Sequence, residues 1–214
     1  MNIVVSLMSS FGKQALGQLA GVLGAKEDAT HSAVQAAVPA LLGGLTSLAS
    51  KPEGANNLWS ALQGLKGGSD DDYLGMLTGG KESVLSDLGG NLLMNLFGKS
   101  STNSLVDVLS RFLGGNSTMV SKLLSLLAPM VLGYIGKQVK SGNLDLAGLV
   151  KMLLGQSSNI ASAMPSGLAK SLSGVQGLGA FGNFVDEAKD LAKGVESQAA
   201  SASRAAASTA SQSA

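Results

Sequence analysis

Apolar residues recur at intervals of three and four along most of the chain. Ala15, Leu16, Leu19, Val22 and Leu23 fall on one helical face, and the stripe stops at Gly24, a residue suited to the left-handed turn that closes helices. Val34, Val38, Leu41, Leu42, Leu45 and Leu48 then make one stripe that runs straight through Pro39. Proline removes a backbone donor and crowds the preceding turn, so this stretch predicts a kinked helix, or two short helices meeting at Pro39. Leu58, Ala61, Leu62 and Leu65 supply a third, shorter stripe.

The same pattern returns at a constant offset of 90 residues. Leu19, Leu23, Gly24, Pro39, Leu42 and Gly43 fall on Leu109, Leu113, Gly114, Pro129, Leu132 and Gly133 without a gap. The identities occupy punctuating positions, where backbone geometry narrows the choice of residue, and this favours a repeated unit over a chance likeness of apolar helices. Each unit reads as helix, turn, bent helix, turn, helix; in the second these cover residues 105–113, 123–139 and 146–154.

Around the units the chain divides further. Residues 1–66 form the first unit and 67–80 a Gly/Asp-rich linker. Residues 81–155, which open with a helix over about 82–97, hold the second unit, and 156–180 read as a Gly/Ser-rich connection. Phe181, Phe184, Val185, Ala188, Leu191, Ala192 and Val195 then predict an amphipathic helix over 181–196, with Asp186, Glu187, Lys189, Asp190 and Lys193 on its other faces. Residues 197–214 are Ala/Ser-rich, too poor in large apolar groups to anchor themselves, and are expected to be flexible in isolation. No segment alternates as a strand does, so the fold class is all-α: a helical bundle of two related multi-helix units plus a C-terminal amphipathic helix and tail.

Composition changes this picture in one respect. Charged residues make up 14% of the 214, against about 25% in average chains, while apolar types reach 45%. Such a surface is hard to keep free of apolar patches, which points to partner contacts. A net charge of +1 and 4% aromatics offer neither a phosphate-neutralising field nor stacking platforms, so nucleic acid is not an expected partner. With no cysteine and only His31, neither a thiolate nor a multi-histidine metal site is expected, and no cofactor is implied. The first residues lack a charged n-region and a long apolar run, which makes the cytoplasm the default location. Residues 29–50 carry no formal charge and are long enough to cross a bilayer, yet they contain His31, Gln35 and Pro39; residues 123–136 are too short. Both read as core helices.

Candidate chemistry is thin. Gly75-Met76-Leu77-Thr78-Gly79-Gly80-Lys81-Glu82 follows a phosphate-loop pattern until its last position, where Glu82 replaces the hydroxyl residue that holds magnesium. Gly177-Leu178-Gly179-Ala180-Phe181-Gly182 matches a dinucleotide fingerprint in letters, but no strand precedes it. Asp70, Asp71 and Asp72 lack calcium-loop spacing and read as a solvated turn or helix cap. His31 has no nucleophile signature nearby, and Trp59 reads as a core residue or an interface anchor. No catalytic residue is assigned and an enzyme is not expected.

The glycines are the informative excess: 29 in the chain, several within apolar helices at a cost of about 0.5 to 1 kcal/mol each relative to alanine. Small residues let backbones approach closely, inside one chain or between chains. On the second alternative, Gly17, Gly21, Gly43, Gly44, Trp59, Gly133, Gly136, Phe181, Phe184, Val185 and Leu191 are the candidate self-association residues. The strings from Leu88 to Gly98 (LGGNLLMNLFG), Leu127 to Gly133 (LAPMVLG) and Ala37 to Leu45 (AVPALLGGL) resemble the bacterial family called domain of unknown function 937, over roughly residues 1–155. That resemblance implies a bacterial helical protein and transfers no functional residue. The expected function is a non-enzymatic structural or scaffold protein that self-associates through Gly/Ala-rich helix faces into homo-oligomers or filaments. The alternative is a peripheral membrane protein, against which the mixed charges of the 181–196 helix argue.

Overall fold

A computed structural model describes residues 2–65, 70–165 and 167–173. In order they form α1 (Ile3–Ser10), α2 (Lys13–Leu23), α3 (Glu27–Ala49), α4 (Pro52–Gly64), α5 (Asp70–Thr78), α6 (Glu82–Leu113), α7 (Ser117–Ser141), α8 (Leu146–Leu154), α9 (Ser157–Ala163) and α10 (Leu168–Ser173). No strand occurs among the described residues, and the fold is all-α.

Local chemistry sets several of the ends. The side chains of Asn2, Asn116 and Asp145 accept the backbone N–H of Val5, Met119 and Gly148, capping α1, α7 and α8. Gly24 and Gly114 close α2 and α6 at φ 63° and 62°, in the left-handed region that glycine enters without penalty. The ammonium of Lys122 donates to the carbonyl of Val22 at 2.8 Å, so the second unit caps the last turn of a helix of the first.

The 90-residue repeat is visible in the elements themselves. α3 begins at Glu27 and α7 at Ser117, each preceded by its left-handed glycine, and Pro39 and Pro129 lie inside single helices rather than between two short ones. The neighbours repeat as well. α5 packs on α2 and α7, while α10 and α9 pack on α6 and α3, so each unit sends its last elements onto the other unit's long helix. α3 and α7 also pack on each other, and Val38, Leu41, Leu42, Leu127, Val131 and Leu132 from this pair are buried in the common core.

Four features depart from the expectations. Residues 3–10 form a helix that was not anticipated. The 67–80 stretch carries α5, and the 156–180 stretch carries α9 and α10, which bury Ile160, Ala161, Leu168, Ala169 and Leu172, with Met164 buried between them. The helix expected over 82–97 and the one over 105–113 run together as α6, across a kink at Gly98 with φ 77° and ψ 162°. The Thr102 hydroxyl sits 2.8 Å from the Gly98 carbonyl and 3.2 Å from that of Leu93, giving carbonyls released by the kink a partner. The 181–196 helix and the 197–214 tail lie outside the described residues.

The tightest contact joins α6 to α7. A Cβ built on Gly89 would stand 1.6 Å from the Ser125 carbonyl oxygen and 2.8 Å from Pro129 Cδ, so two backbones touch there. At the neighbouring Gly90 the nearest atom is the Ser125 hydroxyl at 3.7 Å, an ordinary contact. Gly89→Ala is therefore expected to destabilise the fold by about 2 kcal/mol or more, because a helix rather than a side chain must shift. Gly90→Ala is expected to be neutral or stabilising by up to about 1 kcal/mol through helix propensity. Urea unfolding of both variants checks the pair, and equal effects would refute the backbone contact.

Burial, followed by the neighbouring Asp72 carboxylate, holds the Tyr73 hydroxyl above its ordinary pKa of 10.0. The folded state thus prefers the neutral phenol. That preference is complete below the unfolded value and is lost as pH rises through the folded one. Unfolding in urea is expected to become easier above about pH 10, and Tyr73→Phe is expected to remove that part of the alkaline slope.

Candidate functional site

α4 covers the core with only a narrow strip of its surface. Only Gly54, Ala55 and Leu58 are buried along it. Gly54 lies so near the end of α3 that a Cβ would come within 2.2 Å of the Leu48 carbonyl oxygen. The next row of the helix, Trp59, Leu62 and Leu65, is only partly covered. Opposite it stand Leu132, Gly136, Lys137, Val139, Lys140 and Ser141 of α7. The two walls enclose an open cleft of about 310 Å³, at the small end of the range for ligand-binding sites and wide enough for one or two apolar side chains. A Cβ on Gly136 would lie 3.9 Å from Leu62 Cδ2, so glycine keeps this wall low without being sterically required.

The rim is cationic. Lys137 pairs with Asp71 of α5 at 2.7 Å, with both side chains largely in water, and such a pair contributes at most about 1 kcal/mol. Lys140 is exposed beside it. Asp71 and Asp72 lie in the first turn of α5, where the helix dipole favours negative charge. Among the described residues no group of three or more His, Asp or Glu side chains is placed to hold a metal.

A second groove lies across the molecule's N-terminal helix. Val4, Val5, Met8 and Ser9 of α1, His31, Gln35 and Pro39 of α3, and Ala163 and Pro165 at the end of α9 bound about 520 Å³. The imidazole Nε2 of His31 is 3.4 Å from the Gln35 amide nitrogen, and both side chains are exposed, which fits a polar surface residue. Val5 is 58% exposed here, the most open large apolar residue described.

The residues proposed for self-association divide sharply. Trp59 and Gly136 face each other across the α4–α7 cleft. Gly43, Gly44 and Gly133 are buried inside the bundle, so their small size serves packing within the chain and they present no surface to a partner. Gly17 is half-buried, 3.3 Å from Glu27 Oε1 at its Cβ position, and Gly21 is exposed with nothing within 4 Å. Phe181, Phe184, Val185 and Leu191 lie outside the described residues. Leu65, Leu132, Lys137, Val139 and Lys140 complete the cleft and had not been singled out. The only early signal was the coincidence of an apolar stripe on α4 with glycines on α7, and it does not say that the two face one another.

The remaining motifs fall away on geometry. The residues before Gly75 belong to α5, so the phosphate-loop string follows a helix where a strand is needed. The Gly177–Gly182 string lies outside the described residues. α3 and α7 are long and apolar enough to cross a membrane, but 83% and 78% of their apolar windows are buried within the bundle, as in core helices.

The fold and clefts define an all-helical bundle with an internal duplication and apolar surface grooves. The chain belongs to the bacterial family of proteins of unknown function DUF937, whose sequence pattern it matches over residues 6–138. No curated protein and no solved structure matches it.

The cleft wall and its anchor are separable by mutation. Leu58→Ala, at a fully buried position, is expected to cost about 2 to 5 kcal/mol. Leu62→Ala, four residues along and on the open wall, is expected to cost less than about 1.5 kcal/mol. Thermal or urea unfolding distinguishes them, and equal costs would mean that the cleft is closed in solution.

Proposed function

We propose that this protein is a non-enzymatic scaffold that self-associates, and that the α4–α7 cleft seats a second copy. The observation that carries this is the half-covered row of Trp59, Leu62 and Leu65 facing Val139 in an open apolar cleft. Tryptophan in a preformed apolar recess is the usual anchor of an interface. The chain has few charges with which to keep such a surface apart from its own copies. A copy that offers an apolar ridge to this cleft leaves its own cleft free, and contacts of that heterologous kind propagate into rings or filaments. Buried Gly43, Gly44 and Gly133 present no surface to a partner, so the reading rests on Trp59 and Gly136 at the cleft.

Sedimentation velocity of the full chain over about a hundredfold range of concentration tests the reading. Particles heavier than the 21.4 kDa chain are expected, growing with concentration. Trp59→Glu is expected to return them to monomer with little change in thermal midpoint. A wild-type monomer at every concentration overturns the proposal. Co-flotation with anionic liposomes, in place of self-association, would support the peripheral membrane reading instead.

A further inference from the structure

The duplication allows the two long helices to be compared position by position. On α7 the strip that includes Ser125 and Pro129 is covered by α6, whose Gly89 backbone rests against it. Ninety residues earlier the corresponding positions on α3 are Gln35 and Pro39, and these form the floor of the groove between α1 and the end of α9. α1 lies on this side but has only eight residues, and it leaves Gln35 and Val5 exposed. Both prolines are buried, but Ser125 lies under α6 while Gln35 is exposed, so one unit has a covered helix seat and the other has the same seat open at Gln35.

We infer that the open seat on α3 takes this chain's own segment 181–195 as a helix. The face with which the first half of α6 packs is Leu85, Gly89, Leu92, Leu93 and Leu96, at i, i+4, i+7, i+8 and i+11. Phe184, Ala188, Leu191, Ala192 and Val195 repeat that spacing, with the small residue again in second place. In this register Ala188 takes the part of Gly89. The open groove of about 520 Å³ has room for the methyl group that the closed α6–α7 contact excludes. On a helical wheel in this register Asp186, Lys189, Asp190 and Lys193 fall opposite the apolar stripe and Glu187 at its edge, a pattern suited to a wet outer surface.

The chain is led to the place. Pro165 forms one edge of the groove, α10 follows it directly, and the described residues end at Ser173. Residues 174–180 then span up to about 23 Å, which covers the width of a small helical bundle. A 15-residue helix is about 22 Å long, close to the length of α3 from its first residue to Pro39. A short tether also raises the local concentration of the segment to the millimolar range, so a modest intrinsic affinity suffices.

The chain contains no cysteine, so a single introduced pair reports on this contact without interference. In the full-length protein, Gln35→Cys with Ala188→Cys is expected to form a disulfide within one chain. It should do so at least about tenfold faster than Asn57→Cys with Ala188→Cys, which places the first thiol in the groove between α4 and α6. Leu191→Asp added to the first pair is expected to remove the advantage. Equal rates for the two pairs overturn the inference. Disulfide-linked dimers from the first pair also overturn it, because they place the segment on another copy. Sedimentation of the Trp59→Glu variant reads self-association separately, so the two proposals fail independently.

Discussion

α3 and α7 are long and largely apolar, and the rest of the molecule is arranged by the need to cover their apolar faces. Each is more than 20 residues long and mostly buried. At about 25 cal/mol per Å² of apolar surface, leaving even one face of such a helix wet would cost more than most single interactions in the fold contribute. They cover one another on one side, and α1, α2, α4, α6, α8, α9 and α10 take the remaining sides of α3 while α2, α4, α5 and α6 take those of α7. The crossing of α5 to the second unit, and of α9 to the first, belongs to this arrangement. It makes each long helix depend on both halves of the chain, so the two related units share one core.

Glycine serves that wrapping in two different ways. At Gly89 and Gly54 a helix backbone lies directly on a carbonyl of its neighbour, and a methyl group would force the elements apart. At Gly24, Gly98 and Gly114 the need is conformational, since each adopts positive φ where a helix ends or bends. Neither use requires a second molecule. These glycines, together with the buried Gly43, Gly44 and Gly133, are explained within one chain, and the case for association rests on the uncovered apolar cleft around Trp59.

Much of the fold was legible in the sequence because helix stripes and their punctuation are local. Gly24 with Gly114, and Pro39 with Pro129, mark helix ends and helix interiors that recur at an offset of 90 residues. What was not legible depended on small residues and on partners distant in the chain. α9 and α10 carry too few large apolar groups to show a stripe, yet Ile160, Leu168 and Leu172 are buried because α3 and α6 supply the other half of the contact. The glycines could be recognised as an excess, but Gly43 and Gly136 look alike in sequence, and only the packing separates a core position from a cleft wall. The cleft itself joins residues about 75 positions apart, and no periodicity reports that distance.

Duplication followed by unequal covering also explains why the open grooves lie where they do. If both units were wrapped alike, the surfaces beside α4 and over Gln35 would be covered like their counterparts. Against α3, the α8 side is closed: Thr46 and Ser47 are buried where the equivalent Gly136 and Lys137 on α7 stay accessible. Against α7, the α6 side is closed where the α3 equivalent is open. Each long helix thus has one face that its partner unit covers and it does not. Apolar faces that the chain has built cover for once, and left open once, are the places where a further helix fits with the least new design. A bundle of this kind gains binding surfaces by omission, without assembling a polar site, and the grooves it leaves are lined mainly by the side chains that would otherwise have been core.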